Sequence, residues 1–146
     1  MTAPVILDHA AIAGLIPHAG SMCLLDAVLD WSDVAIVCRA VSHLDPANPL
    51  RRGGRLAPVC GLEYALQAAA VHGALHGGAP QPPGYLAAIR IGHLASGRWD
   101  DPALGALRVA ARCEHGDRAG LIYSVAVQDA AGRILLDARA TIVLTA

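Results

Sequence analysis

The chain has 146 residues, room for a single domain spanning 1–146. Its 55 % hydrophobic and 16 % charged residues exclude a disordered chain, and a formal net charge of −1 excludes a bulk electrostatic pull toward nucleic acid or anionic lipid. All eleven basic residues are Arg, so lysine Schiff-base chemistry and a P-loop are excluded too.

The opening Met1-Thr2-Ala3-Pro4 has neither the basic nor the apolar region of a secretory signal. Leu7 to Leu15 predicts a short helix, since Leu7, Ala11 and Leu15 recur at helical spacing and Gly14 and Pro17 end the run. Ile16 to Ser21 reads as a loop. Met22 to Leu29 and Val34 to Val41 predict two strands turning at Trp31-Ser32-Asp33. Residues 45–58, punctuated by Asp45-Pro46, Asn48-Pro49 and Gly53-Gly54, form a loop long enough to suggest function.

A long helix is expected from Pro58 to His76, with Pro58 suited to its first position and Gly77-Gly78 to its end. Its near-apolar run, interrupted by Glu63, Gln67 and His72, reads as a buried helix and not a membrane span. Strands follow at 85–97, 104–114, 121–129 and 134–145. An antiparallel sheet wrapped over one buried helix satisfies this order, an α+β architecture. The four Cys are far apart with no CxxC pair, so we expect buried thiols in a reducing cytoplasm, with no zinc knuckle or disulfide framework.

Glu63 near the helix start has no basic residue within helical reach, and Gln67 lies one turn on, on the same face. Desolvation favours a neutral carboxyl group, the form a general acid needs; a helix end emerging into solvent is the plainer alternative. His18 lies in the Pro/Gly loop, and His43 ends the second strand. Each is either an aimed catalytic base or an ordinary histidine. His72 and His76 read as structural. No histidine or cysteine spacing supports a metal site. Arg51, Arg52 and Arg55 form a basic cluster before the helix, either a solvated loop or a patch for an oxyanion or acidic partner.

Three segments carry a family resemblance. Leu15-Ile16-Pro17-His18-Ala19-Gly20-Ser21-Met22-Cys23-Leu24-Leu25-Asp26 resembles the opening of the hot-dog-fold 3-hydroxyacyl-[acyl carrier protein] dehydratases. Gly61-Leu62-Glu63-Tyr64-Ala65-Leu66-Gln67 is similar to the start of their central helix, where a catalytic acid is followed four residues later by Gln. Trp99 to Gly105 is weakly similar to a later turn. The resemblance is closest to the small ApeP-like dehydratases of aryl-polyene gene clusters, whose "PH-GSMCLLD", "DP-NPLR--GRLP" and "G-EYA-QA-AVHG" are matched here in order, with Ala57 standing before the last Pro of the second. The chain departs from the housekeeping enzymes at Arg52 to Pro58, which lacks their loop histidine.

The resemblance implies a hot-dog fold and dehydration of 3-hydroxyacyl-[acyl carrier protein] to the trans-2-enoyl thioester, in fatty-acid or aryl-polyene biosynthesis. It implies His18 as base, with His43 as runner-up, Glu63 as acid, Gln67 in support and Gly61 N–H on the thioester carbonyl. No metal or redox cofactor is needed, because the acyl group rides on the phosphopantetheine of an acyl carrier protein docked on Arg51, Arg52 and Arg55. The usual unit is a dimer with acyl tunnels at its interface, here a homodimer or a heterodimer with a related subunit. A hot-dog thioesterase and a non-catalytic partner subunit are the alternatives.

Overall fold

The computed structural model describes residues 4–18, 20–78 and 84–144. Its elements are β1 (Leu7–Asp8), α1 (His9–Ala13), β2 (Ala27–Trp31), β3 (Ala35–Ala40), α2 (Gly61–Gly77), β4 (Gly84–Leu94), β5 (Leu107–Gly116), β6 (Gly120–Gln128) and β7 (Ile134–Leu144). All seven strands join one antiparallel sheet in the order β1-β2-β3-β5-β6-β7-β4. The sheet packs on α2 through β3, β5 and β6.

Alternation decides the faces. On β5, Leu107, Val109 and Ala111 are buried toward α2, while Arg108 and Arg112 point to solvent. Helix α2 is buried on most sides as far as Ala74. A 3₁₀ turn at Pro58–Cys60 leads into it, and Gly78 closes it at φ 72°, a left-handed conformation that glycine adopts without strain. No helix among the described residues is long and apolar enough to cross a membrane.

Several expected boundaries move. The helix expected over 7–15 shortens to His9–Ala13, because Leu7 and Asp8 pair with Val28 and Ala27 instead. Asp8 then caps it, Oδ1 accepting from Ala11 N–H at 2.9 Å. The strand expected from Met22 begins at Ala27. Its first residues leave the sheet because side chains take their backbone groups, as described below.

The loop before α2 is folded on itself. Arg52 and Arg55 exchange both backbone hydrogen bonds, at 2.8 and 3.1 Å, around Gly53 and Gly54 at φ 59° and 78°. Two consecutive positive φ values require this tight turn to carry glycines. Leu56 N–H donates to Asp100 Oδ1 at 2.9 Å and Leu56 C=O accepts from Trp99 N–H at 2.9 Å, fixing the loop to the segment before β5. The Trp99 indole lies on the backbone of Gly61, where any Cβ would come within 2.2 Å of the ring.

Candidate active site

A cleft of about 310 Å³ opens beside the first turns of α2, at the lower end of the size range for small-molecule sites. Leu66 and Ala70 of α2 wall one side, Leu86 of β4 and Ile142 of β7 another. Among the described residues its only ionisable side chains are His18 and Glu63. Residues 45 positions apart in sequence thus share one apolar cavity.

Glu63 projects from the first turn of α2 and is half-buried, so it is not sealed in the core as a helix buried all round implies. His18 is also half-buried. Its Nδ1 is shielded from solvent and has no hydrogen-bond partner among the described residues.

Gln67 is fully buried but does not serve Glu63. Its Nε2 donates to Met22 C=O at 2.7 Å and its Oε1 accepts from Leu24 N–H at 2.9 Å. The amide therefore ties the segment after His18 to the helix that carries Glu63. This replaces the expected Gln67–Glu63 contact and explains why residues 22–24 are not in the sheet.

A second tie, unexpected from sequence, holds the other side of Leu24. Ser42 Oγ donates to Leu24 C=O at 2.7 Å and lies 2.9 Å from Tyr64 Oη. Asn48 Nδ2 donates to both Tyr64 Oη and Ser42 C=O, at 3.0 and 2.9 Å. Burial pushes the Tyr64 hydroxyl above its usual range, so it stays a neutral hydrogen-bonding group. The Asn-Pro pair of the long loop marked a turn; its role in anchoring buried Tyr64 depends on tertiary contacts.

His43 is not at the cleft. It is fully buried, with its imidazole Nε2 2.8 Å from Gly105 C=O. Burial lowers its pKa, and Nδ1 has no hydrogen-bond partner among the described residues. The runner-up base is thus a core histidine joining the end of β3 to the turn before β5.

Gly61 does not take the expected place either. Its N–H donates back to Pro58 C=O and Val59 C=O within the 3₁₀ turn, and Trp99 covers it. That N–H is not free for a thioester carbonyl, and Gly61 does not line the cleft.

The arginine cluster divides. Arg51 folds inward, Nη2 donating to His43 C=O at 3.0 Å and Nη1 to Gly54 C=O at 3.2 Å, so it braces the loop instead of presenting a docking charge. Arg52 and Arg55 are exposed. His72, read as structural, lies buried between Tyr123 Oη at 2.6 Å and Ser32 C=O at 2.9 Å. Among the described residues no cluster of His, Cys, Asp or Glu is placed to hold a metal ion.

The ApeP-like family model, described as ApeP dehydratase, matches residues 10–145. Of the solved structures, the dehydratase heterocomplex ApeI:P from Xenorhabdus doucetiae superposes with a TM-score of 0.79 at 18 % identity, covering 92 % of this chain and 91 % of that one. A hypothetical thioesterase protein with coenzyme A from Streptococcus pneumoniae TIGR4 gives 0.59 at 19 % identity, over 81 % and 84 % of the two chains. AziG of S. sahachiroi gives 0.61 at 16 % identity, over 84 % and 91 %. These likenesses show the hot-dog fold. No curated protein sequence matches the chain.

Proposed function

The chain belongs to the ApeP-like dehydratase family, and from that premise we propose that it removes water from 3-hydroxyacyl-[acyl carrier protein] to give the trans-2-enoyl thioester. The observation that carries this reading is the joint placement of His18 and Glu63 in one apolar cleft. The His18 imidazole takes the C2 proton, the C3–O bond breaks, and Glu63 protonates the departing hydroxyl. A C2=C3 double bond forms and one water leaves. A proton passed from His18 back to Glu63 resets the pair. The apolar walls limit water around the charges that develop.

The acyl group needs no resident cofactor in this scheme, as it arrives on a carrier protein's phosphopantetheine arm. The exposed Arg52 and Arg55 are the remaining docking charges for an acidic carrier. We further propose a dimer built on β4, most readily with a related hot-dog subunit. Among the described residues β4 pairs only with β7 and its other edge has no strand beside it, and Tyr85, Leu86 and Ile91 are 67, 47 and 41 % exposed. A partner strand there would extend the wall that Leu86 gives to the cleft.

The test is incubation with a 3-hydroxyacyl carrier protein, with and without a related hot-dog subunit. Enoyl product that disappears in both Glu63→Gln and His18→Ala supports the reading. Free acid indicates a thioesterase, and turnover indifferent to both substitutions indicates a non-catalytic subunit.

A further inference from the structure

The outer face of the sheet, turned away from α2 and the cleft, carries an unusual charge pattern. In register across four neighbouring strands stand Arg112 of β5, Ser124 of β6, Arg139 of β7 and Arg90 of β4. Arg139 and Arg90 are directly opposite each other, as are Arg39 and Arg108 on β3 and β5. Like charges opposite one another are destabilising. No ion pair among the described residues engages Arg90, Arg108 or Arg139; Arg39 has Asp26, and Arg112 only a 4.0 Å contact with Glu114. In a chain of net charge −1, arginine is therefore gathered on one face and left largely unneutralised.

That face also carries a groove. It has a volume of about 550 Å³ and crosses the sheet from Ala35 on β3 to Gly92 on β4, floored by small residues that include Ala110, Ser124 and Ala126. Arg112, Arg139 and Arg90 rise from it, with Asp137 as its one carboxylate. The small side chains leave a channel between the longer ones.

We propose that this groove is a docking site for an acidic helix of a partner protein. Spacing selects the helix. Neighbouring strands lie ~4.8 Å apart, so Arg112 and Arg139 are separated by ~10 Å and Arg90 lies ~5 Å further on. Carboxylates seven residues apart on a helix are separated by ~10.5 Å, and a further three or four residues add ~5 Å on the same side. The groove spans five strands, ~19 Å, or about thirteen helical residues. A second copy of this face is excluded as occupant, because it would bring arginines against arginines. The surface is separate from Arg52 and Arg55 and does not depend on the reaction assigned to the cleft.

The probe is a fluorescein-labelled helical peptide with glutamates at positions 1, 8 and 12. It is compared with a peptide of the same charge whose glutamates are adjacent, binding being read by anisotropy. The spaced peptide should bind more tightly and lose about ten-fold or more in affinity to R90Q/R112Q/R139Q, with no change in R52Q/R55Q. Circular dichroism confirms that each variant is folded. A folded R112E/R139E variant should reject the glutamate peptide and accept one with lysines at the same positions. Equal binding of spaced and clustered peptides, an equal loss in R52Q/R55Q, or failure of the charge exchange would each overturn the proposal. Displacement of the peptide by inorganic pyrophosphate at lower concentration than by unlabelled peptide would also overturn it, in favour of a small-anion site.

Discussion

Replacing Gln67 by Leu keeps the volume but removes both hydrogen bonds to the segment after His18. Leu24 is 1 % exposed, so its N–H has no access to water once Oε1 is gone. An unsatisfied buried donor costs about 1–3 kcal/mol. The Met22 carbonyl is on a half-buried residue where water can replace Nε2 in part, adding about 1 kcal/mol. The expected loss is thus about 2–4 kcal/mol, a large share of the 5–15 kcal/mol typical of a domain. Urea denaturation at pH 7 measures it. In the folded protein kcat should fall more than KM changes, because the anchor between His18's segment and Glu63's helix acts on their mutual placement. Leu24 C=O remains held by Ser42, so the segment should loosen and not detach. A stability change under about 0.5 kcal/mol would refute the reasoning, since it would mean that both backbone groups find other partners.

Glu63→Gln should fold normally and lose about 10² to 10⁴ in dehydration rate, read in single turnovers. His43→Ala should lower stability by leaving Gly105 C=O unpaired, while the folded enzyme keeps most of its rate. Gly61→Ala should cost about 1–3 kcal/mol in thermal or urea unfolding, because its Cβ runs into the Trp99 ring. Burial lowers the pKa of His43 and His72 below the ordinary 6.5. The unfolded chain therefore binds their protons first, and stability is full above pH 6.5 and falls as pH drops below it, by up to about 1.4 kcal/mol per unit for each group. His72→Gln should reduce that acid sensitivity in denaturation at pH 5.5 against pH 7; an unchanged slope would remove His72 from the account.

Periodicity and punctuation in the sequence located the long helix, the strand alternation on β5 and the hairpin at Ser32, because these depend on neighbours in sequence. The co-location of His18 and Glu63 was reached through the resemblance, not from spacing. What escaped was tertiary. Gln67 looked like a partner for Glu63 because i and i+4 share a helix face, yet its amide meets two backbone groups more than forty residues away. Gly61 looked free at a helix start until the 3₁₀ turn extended that start by three residues. Arg51 is indistinguishable from Arg52 in sequence, and only the position of His43 C=O turns it inward. The arginines of the outer face are scattered from Arg39 to Arg139, and the strand order alone gathers them.

That strand order also constrains how the chain is made. β4 follows α2 directly in sequence, but its neighbour in the sheet is β7, which ends at Leu144. During synthesis β4 emerges early and waits, unpaired on both edges, while β5 and β6 are added and join β3. Its closure on that side must wait until β7 has been translated, and such long-range pairing is slow to form. A ribosome paused before β7 therefore holds out an apolar strand with two open edges, the form of nascent chain most prone to associate with its neighbours.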